Sequence, residues 1–571
     1  MLGRLADAAR FFLKTTAIGG VLIFAGLATA SFLRLHAQNV TIGPPFSAER
    51  LMAHIRTLSS NEFQGRGPGT KGEELTIAYL QKEFRDAGLE PGNPDGTYLQ
   101  AVPLIGMRPD PKMTLTFSGR GKTMQLAFEK DFVAQTRRTV GSVHLDADMI
   151  FLGYGVQAPE YNWDDFKGVD VRGKVNVVLI NDPPVPDERM FGGKAMTYYG
   201  RWTYKYEKAA ELGASGCLIV HETERAGYPW DVVRDSWSGE AFNLVGPGKN
   251  MPRVAVEGWI THERAQELFR AAGLDYETEK KKAVSANFHP VPLGMRAQLD
   301  IHNTLRTIRS HNAIAKFTGS DPVLKNQYVI YSAHWDHFGI GPEVNGDKIY
   351  HGALENASGS AALLEIARAY ARLKPENAPK RTILFLSVTA EEQGLLGSEY
   401  YAEHPLYPVS RTAANINMDG MNVWGKTRDV TEIGKGKSTL DEVVADVAKQ
   451  QGRTVRSDPE PEKGFYYRSD HFSFAKVGVP AFDPDSGIDF AGRPAGWGLG
   501  KRQEYTANDY HKPSDVIKSD WDLIGAVQDC QLYFLVGLRV ADAPKMPEWK
   551  PGAEFKAIRE ASLQRGNQGM P

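Results

Sequence analysis

The sequence has few cysteines and no excess of charge of either sign. Only two of its 571 residues are cysteine, Cys217 and Cys530, too few for a disulfide framework or a site built from several thiolates. The 67 lysines and arginines nearly balance the 69 aspartates and glutamates, and the formal net charge is −2. Such a chain carries no overall field that would attract nucleic acid. We expect both cysteines in the core and no nucleic acid among the partners.

Two common hydrolase motifs, HExxH and GxSxG, are also missing. Two phosphate-binding patterns do occur, but each lacks the neighbours it needs. Residues 420–427 match GxxxxGK[ST], yet a β or loop pattern over 428–434 follows where a helix is required. Residues 67–72 match GxGxxG, yet residues 59–64 before them do not read as a buried strand. Neither pattern therefore predicts a nucleotide site.

One apolar run is long enough to cross a membrane, and it lies at the N-terminus. Arg4, Arg10 and Lys14 precede an apolar stretch over residues 15–33, which contains a small-residue sequence of the kind signal peptidase cuts. The stretch is also long enough to remain as a membrane anchor. We interpret residues 1–37 as either a cleaved signal or a retained anchor. The protein is then periplasmic or secreted, and in the second case anchored to the inner membrane.

The composition is that of a globular protein, with 42% hydrophobic and 24% charged residues. A chain of this length exceeds the size of one hydrophobic core, so about two to four domains are expected. Strands and helices alternate over 296–545, which predicts an α/β domain with a mostly parallel mixed sheet flanked by helices. The helical region 44–110 belongs to it, residues 130–290 read as a β-rich insert with two helices, and 546–571 as a tail.

Ionisable side chains follow three buried strands of the predicted sheet. His334 comes after the first strand, Glu391 and Glu392 after the second, and Asp419 after the third. In open α/β sheets, sites form where the carboxyl ends of the strands meet. Carboxylates this close repel one another unless a cation lies among them, and histidine with carboxylates suits Zn²⁺ or a related ion. The sequence therefore predicts a metal site at this edge.

Six segments resemble, in order, the motifs of the dizinc exopeptidase family that includes bacterial leucyl aminopeptidases and glutamate carboxypeptidase. They are residues 334–336, 352–359, 390–394, 417–420, 466–471 and 510–515. The resemblance covers the first helical region and residues 300 to 540, and it implies a zinc exopeptidase-like fold. The insert is similar to a protease-associated domain at residues 153–156, 170–175 and 208–214.

The resemblance implies two divalent metal ions, Zn²⁺, as cofactors. His334 and Asp419 would hold one ion, Glu392 and His511 the other, and Glu355 would bridge both. Glu355 departs from the family pattern, which has aspartate at this position. Because glutamate adds one methylene, its carboxylate must fold back or the two ions must shift.

The resemblance also implies roles for the residues around the ligands. Glu391 would act as general base, and Asp336 would fix the imidazole of the histidine two residues before it. Tyr466 would polarise the developing oxyanion, with a role in packing as the alternative. His337 and His471 are predicted to line the pocket or to contact the metal ligands, and not to bind metal themselves.

These features predict an exported, metal-dependent exopeptidase that acts on peptide substrates, most simply an aminopeptidase. A carboxypeptidase of the same family is the nearest alternative. It would need a cationic cluster for the substrate carboxylate, and Arg493, Lys501 and Arg502 are candidates. A catalytically silent binding protein and a glutaminyl cyclase are further alternatives on the same scaffold.

Overall fold

The computed structural model describes residues 46–187 and 189–568. The predicted export segment, residues 1–37, lies outside these ranges. Within them, no helix combines the length and the apolar character needed to cross a bilayer. Residues 46–371 form one compact body with the described residues from 378 onwards.

The strands vary in length from 2 to 27 residues. In chain order they are β1 (Glu90–Pro91), β2 (Leu99–Pro109), β3 (Thr114–Gly119), β4 (Lys122–Ala127), β5 (Phe132–Gln135), β6 (Ser142–Phe151), β7 (Gln157–Ala158), β8 (Trp163–Asp164), β9 (Val175–Leu179), β10 (Gly216–His221), β11 (Ala241–Leu244), β12 (Val256–Thr261), β13 (Val291–Phe317), β14 (Tyr328–His334), β15 (Gly339–Val344), β16 (Asp347–Tyr350), β17 (Thr382–Val388), β18 (Thr412–Asn417), β19 (Asp429–Ile433), β20 (Thr454–Ser457) and β21 (Ala481–Asp485).

Helices pack on the sheets or connect their strands. In chain order they are α1 (Ala48–Leu58), α2 (Lys71–Ala87), α3 (Trp202–Glu211), α4 (Thr223–Ala226), α5 (Trp230–Ser238), α6 (His262–Ala271), α7 (Tyr276–Lys282), α8 (Gly359–Ala371), α9 (Leu396–Glu403), α10 (Leu440–Gln450), α11 (His471–Lys476), α12 (Trp497–Asn508), α13 (Ile524–Asp542) and α14 (Lys556–Gln568).

The central sheet is mixed, as the sequence predicts. β14 lies between β17 and β18 and is parallel to both, and β21 continues the sheet parallel to β18. On the other side, β13 is antiparallel to β17, and β2 and β11 follow. Every residue of β14, β17 and β18 is buried, as expected for parallel strands covered by helices on both faces.

A second sheet is built mainly from residues 114–302, and one long strand joins it to the first. Residues 291–302 of β13 pair with β6 in the second sheet, and residues 303–317 pair with β2 and β17 in the central one. The short strand β11 comes from within the predicted insert but pairs with β2 in the central sheet. The two sheets are therefore joined through β13, which forms backbone hydrogen bonds with strands of both.

The core of the second sheet is apolar on both faces. Along β9, Val175, Val177 and Leu179 face one hydrophobic cluster, whereas Val178 faces another. Cys217 is buried in the second of these clusters, and both cysteines are free and buried, as predicted. Five helices are described between residues 110 and 295, where the sequence indicated two. The shorter helices have too few residues for a helical period to be recognised in the sequence.

Candidate metal centre

Three parallel strands bring the predicted ligands to one edge of the central sheet. His334, the last residue of β14, is level with Val388 at the end of β17, and Ser332 is level with Asn417 at the end of β18. The residues that follow each strand therefore emerge side by side. This register explains why residues far apart in sequence meet.

His334, Glu355 and Asp419 form the centre of the site. The Nε2 atom of His334 lies 2.9 Å from Oε1 of Glu355 and 3.2 Å from Oδ1 of Asp419. One ligand atom from each residue lies within 4.8 Å of the others. The imidazole is completely buried, and 9% of Glu355 is exposed. One imidazole and two carboxylates at this spacing offer a divalent cation three ligands.

The backbone around Glu355 is held by Asp515. The amide nitrogens of Leu354 and Glu355 donate to the two oxygens of this carboxylate at 3.1 and 3.0 Å. On the other side, the side-chain amide of Asn356 donates to the carbonyl of Met418 at 3.0 Å. Burial raises the pKa of Asp515 to about 6, although these hydrogen bonds favour its charged form. Asp515 therefore positions the backbone of Glu355, a role that its place in the last motif did not predict.

Asp336 supports the turn that carries the paired glutamates. Its carboxylate accepts hydrogen bonds from the amides of Glu391 and Glu392 at 3.0 and 3.4 Å. The same carboxylate is 3.8 Å from Nδ1 of His334, whereas the Asp336 backbone carbonyl oxygen is 3.2 Å from that nitrogen. Burial raises the pKa of Asp336 to about 7. Its backbone thus lies closest to the imidazole, and its side chain orients the glutamates.

Glu392 lies between two histidines. Its Oε1 is 2.6 Å from Nδ1 of His337, and its Oε2 is 3.1 Å from Nε2 of His511. Burial opposes the charged form of Glu392, but the nearby histidines outweigh it and hold its pKa well below the usual value. The ring of His511 stacks on Tyr510 at a centroid distance of 3.7 Å. Glu392 and His511, the predicted second pair of ligands, therefore lie in contact, and His337 is an additional neighbour of Glu392.

Glu391 lies beside the His334 cluster. Its Oε2 is 4.0 Å from Nε2 of His334, and 9% of the residue is exposed. Burial raises the pKa of Glu391 well above its usual value; the charge of His334 opposes this rise, and that of Asp419 adds to it. A carboxyl in such surroundings accepts and holds a proton more readily than one in water.

Tyr466 and His471 lie together in an aromatic cluster. Their ring centroids are 5.0 Å apart, and the ammonium of Lys437 is 4.7 Å from the Tyr466 ring. The Tyr466 hydroxyl is buried and has no hydrogen-bond partner among the described residues. His471 Nδ1 is 3.3 Å from Asp483 Oδ2, and burial lowers the pKa of His471 to about 3. The ring contacts of Tyr466 and the burial of its hydroxyl indicate that this side chain is packed in the protein interior.

A second tyrosine, Tyr510, is electrostatically coupled to the candidate ligands. Burial raises its pKa well above the usual value, and the charges of Glu355, Glu392 and Asp419 raise it further. The charge of Arg468 opposes that rise. The phenol therefore lies within electrostatic range of the carboxylates and of this arginine. The only sequence signal for Tyr510 is its place next to His511.

Arg66 is a buried residue that the sequence did not reveal. Its Nε donates to the carbonyl of Trp335 at 2.8 Å, and its terminal nitrogens donate to the carbonyls of Leu58, His351 and Gly352 at 2.7 to 2.9 Å. Burial lowers its pKa to about 10, although nearby carboxylates favour the charged form. It ties the end of α1 to the segments that carry the ligands.

The cationic cluster predicted for a carboxypeptidase is engaged elsewhere. Arg493 lies over the ring of Trp497 at 4.7 Å, and Lys501 pairs with Glu504 at 3.1 Å. Arg502 forms an ion pair with Asp485. These contacts do not bring the three cations together on a common ligand.

The donor set fits a divalent cation. Carboxylates outnumber the histidines, so the group has excess negative charge, and such charges are costly to bury without compensation. The Nε2 atom of His337 is buried and has no hydrogen-bond partner among the described residues, and Nε2 of His511 faces the Glu392 carboxylate at 3.1 Å. Imidazole nitrogens held beside carboxylates in this way are what a metal site requires.

Comparison with known proteins agrees with this site. Residues 312–535 match the family model described as "Peptidase family M28". Aminopeptidase NAALADL1 of Mus musculus is 36% identical over 131 residues, 22% of this chain and 16% of that protein. The glutamate carboxypeptidase 2 homolog of Caenorhabditis elegans is 24% identical over 334 residues, 49% of this chain and 38% of that protein. The chain thus spans less than two thirds of the length of these relatives.

Solved structures similar to this chain include an aminopeptidase from Aneurinibacillus sp. strain AM-1. It is 19% identical, with a TM-score of 0.49, over 88% of this chain and 96% of that one. A zinc aminopeptidase from Bacillus subtilis is 19% identical, with a TM-score of 0.42, over 90% of this chain and 99% of that one. The family match covers His334, Glu355, Glu391, Glu392, Asp419 and His511. Residues 312–535 of this chain are thus similar to peptidase family M28.

Proposed function

We propose that the protein is an exported, metal-dependent exopeptidase that removes N-terminal residues from peptides. The observation that carries this proposal is the buried group of His334, Glu355 and Asp419 with Glu391 beside it. Aminopeptidases among the relatives support the direction of cleavage. The cationic and apolar N-terminal sequence supports export to the periplasm or beyond, with or without a membrane anchor.

Two divalent ions, Zn²⁺, fit the two groups of donors. His334 and Asp419 would hold one ion, Glu392 and His511 the other, with Glu355 between them. Such ions supply Lewis acidity toward a peptide carbonyl and lower the pKa of water. A relative named "Probable zinc metalloprotease", from Pyrenophora tritici-repentis, supports the choice of zinc.

The chain's own groups then move the proton and hold the geometry. Glu391 accepts a proton from the attacking water, because its burial favours the protonated form once the proton has moved. Asp336 keeps this glutamate in place through the amide hydrogen bond at 3.0 Å. The proton on Glu391 can then pass to the leaving amine. Tyr466 remains our proposed oxyanion donor, because its buried hydroxyl has no hydrogen-bond partner among the described residues.

We further propose that the second sheet corresponds to a protease-associated domain. Its parallel strands β6, β9, β10 and β12, with α3 preceding β10, support this assignment. The catalytic domain would then combine residues 44–110 and 296–545.

A peptide panel tests the proposed activity. Purified protein is assayed on matched free-amine and N-acetylated peptides, with its metal content measured in the same sample. We expect stepwise release of N-terminal residues from the free-amine peptides, loss of activity on chelation and recovery with Zn²⁺, Co²⁺ or Mn²⁺. Cleavage that proceeds from the C-terminus would overturn the aminopeptidase assignment, and full activity in metal-free protein would overturn the mechanism.

A further inference from the structure

A cavity of about 520 Å³ lies next to the segment that carries Glu355. Its wall includes Leu354 and Asp515, and the Asp515 carboxylate accepts the amides of Leu354 and Glu355 at 3.1 and 3.0 Å. Among the described residues that line this cavity, none is a predicted metal ligand. The cavity is therefore separate from the donor groups of the candidate metal centre, although Asp515 contacts both regions.

Three half-buried aromatic side chains, Trp424, Tyr505 and Trp521, form part of the cavity wall. The ring centroids of Trp424 and Tyr505 are 6.5 Å apart, and the Tyr505 hydroxyl donates to the Asp515 carboxylate at 3.2 Å. That hydrogen bond fixes the tyrosine ring at the cavity surface. Aromatic rings that line a cavity bury the apolar part of a small ligand. We therefore expect a ligand with an apolar or aromatic group.

The same wall carries charges of both signs in adjacent pairs. Nζ of Lys518 donates to Oδ1 of Asp509 at 3.0 Å and to the carbonyl of Ser514 at 2.6 Å. Since a lysine ammonium has three N–H donors, these contacts leave one for a ligand. The second pair is Lys501 and Glu504, whose charged atoms are 3.1 Å apart. A ligand in the cavity therefore meets a cation and an anion side by side.

This arrangement of charges favours a zwitterion over a singly charged ligand. A lone cation or anion next to the Asp509–Lys518 pair would be attracted by one residue and repelled by the other. A zwitterion can place its ammonium on the aspartate and its carboxylate on the lysine, and both contacts are then hydrogen bonds between charged groups. A free α-amino acid combines these two charges with a side chain that the aromatic rings can cover.

We propose that this cavity binds a free α-amino acid with an apolar or aromatic side chain, at a site distinct from the metal centre. The aromatic wall and the Asp509–Lys518 pair carry the inference, and the binding itself does not depend on catalysis. A free amino acid is also what the proposed exopeptidase releases. The description of the ligand as a reaction product therefore rests on the proposed function.

Isothermal titration calorimetry on the metal-loaded protein tests this site. Saturating acetohydroxamate, which chelates metal ions, keeps the titrated compounds away from the metal centre. The compounds are L-phenylalanine, phenylethylamine, which lacks the carboxylate, and phenylpropanoate, which lacks the ammonium. All three are titrated into wild-type protein, and L-phenylalanine also into Lys518→Gln and the control Lys82→Gln. Lys82 lies on α2, its side chain is 63% exposed, and it pairs with Asp86 at 2.6 Å.

We expect L-phenylalanine to bind wild-type protein at one site per chain under these conditions. Each singly charged compound should bind with a Kd that is higher by about 10-fold or more, the effect of losing a hydrogen bond between charged groups. Lys518→Gln should raise the Kd of L-phenylalanine by a similar factor, because it removes the partner of the carboxylate. Lys82→Gln should bind L-phenylalanine as wild-type protein does.

Absence of L-phenylalanine binding, equal affinity for the three compounds, or wild-type affinity in Lys518→Gln would each overturn the site. The comparison of the compounds uses wild-type protein, so it decides the question even if Lys518→Gln fails to fold. Peptide hydrolysis is assayed on the same preparation without L-phenylalanine. Active protein that does not bind the amino acid would refute the site and uphold the peptidase function. Inactive protein that binds it would uphold the site and refute the peptidase function.

Discussion

The central sheet and the second sheet contain similar buried parallel strands but differ in how their buried carboxylates are compensated. In the second sheet, the buried carboxylate of Glu257 lies 3.3 Å from Nε of Arg137, and Asp182 accepts hydrogen bonds from Thr197 at 2.7 Å. At the edge of the central sheet, carboxylates cluster around His334 with too few cations to balance them. The candidate site is thus distinguished by buried negative charge that the chain leaves uncompensated. Burial of a carboxylate alone does not identify a functional site.

Replacement of the proposed base should produce the largest difference between the two sheets. Glu391→Gln removes the proton acceptor and keeps the size of the side chain, so kcat should fall by about 10² to 10⁴-fold with metal content unchanged. Steady-state assays with elemental analysis of the same sample measure both quantities. Glu224→Gln, on the exposed surface of α4, is the matched control. Loss of metal in Glu391→Gln would show that Glu391 is itself a ligand.

Removal of the central carboxylate should weaken metal binding. Glu355→Ala leaves His334 and Asp419 without the group that lies 2.9 Å from the imidazole. We expect affinity to fall by more than the 10-fold to 100-fold typical of residues that only support a ligand. Metal titrations of wild type, Glu355→Asp and Glu355→Ala measure this. If Glu355→Ala binds two ions with wild-type affinity, position 355 is not a ligand. Faster turnover in Glu355→Asp would show that glutamate at this position lowers kcat relative to aspartate.

A core substitution in the second sheet should reduce stability and spare the metal site. Leu218 is completely buried in β10, and Leu218→Ala should lower the free energy of unfolding by about 2 to 5 kcal/mol through lost burial and a cavity. Denaturant unfolding, followed by metal analysis of the folded protein, measures the two effects separately. Val323→Ala, at a position that is 73% exposed, serves as control. Metal loss in folded Leu218→Ala protein would contradict the separation of the two regions.

The smallest effect is expected where a residue supports a ligand through the backbone. Asp515→Asn replaces one acceptor oxygen by a donor that faces the amide of Leu354 or Glu355. Metal affinity should therefore fall by about 10-fold to 100-fold. Competition with a chelator measures the affinity, and Asp520→Asn, whose side chain is 59% exposed, is the control. Unchanged affinity would show that the Glu355 segment holds its conformation without this carboxylate.

Much of the central sheet could be predicted from the sequence, because its strands are long and almost wholly apolar. The strands predicted before His334 and before Glu391 are present as β14, which ends at His334, and β17, which ends at Val388. Arg66 could not be found in this way. Its partners are backbone carbonyls of Trp335, His351 and Gly352, which leave no pattern in the side chains.

The α/β alternation, the chemistry of the candidate ligands and their location at strand ends could be inferred from the sequence alone, because they depend on local periodicity and residue type. The tertiary structure decided which of those residues meet. It placed His337 against Glu392 at 2.6 Å and Tyr466 in an aromatic cluster. Such contacts depend on the register and packing of segments that are far apart in the chain, and no local pattern records them.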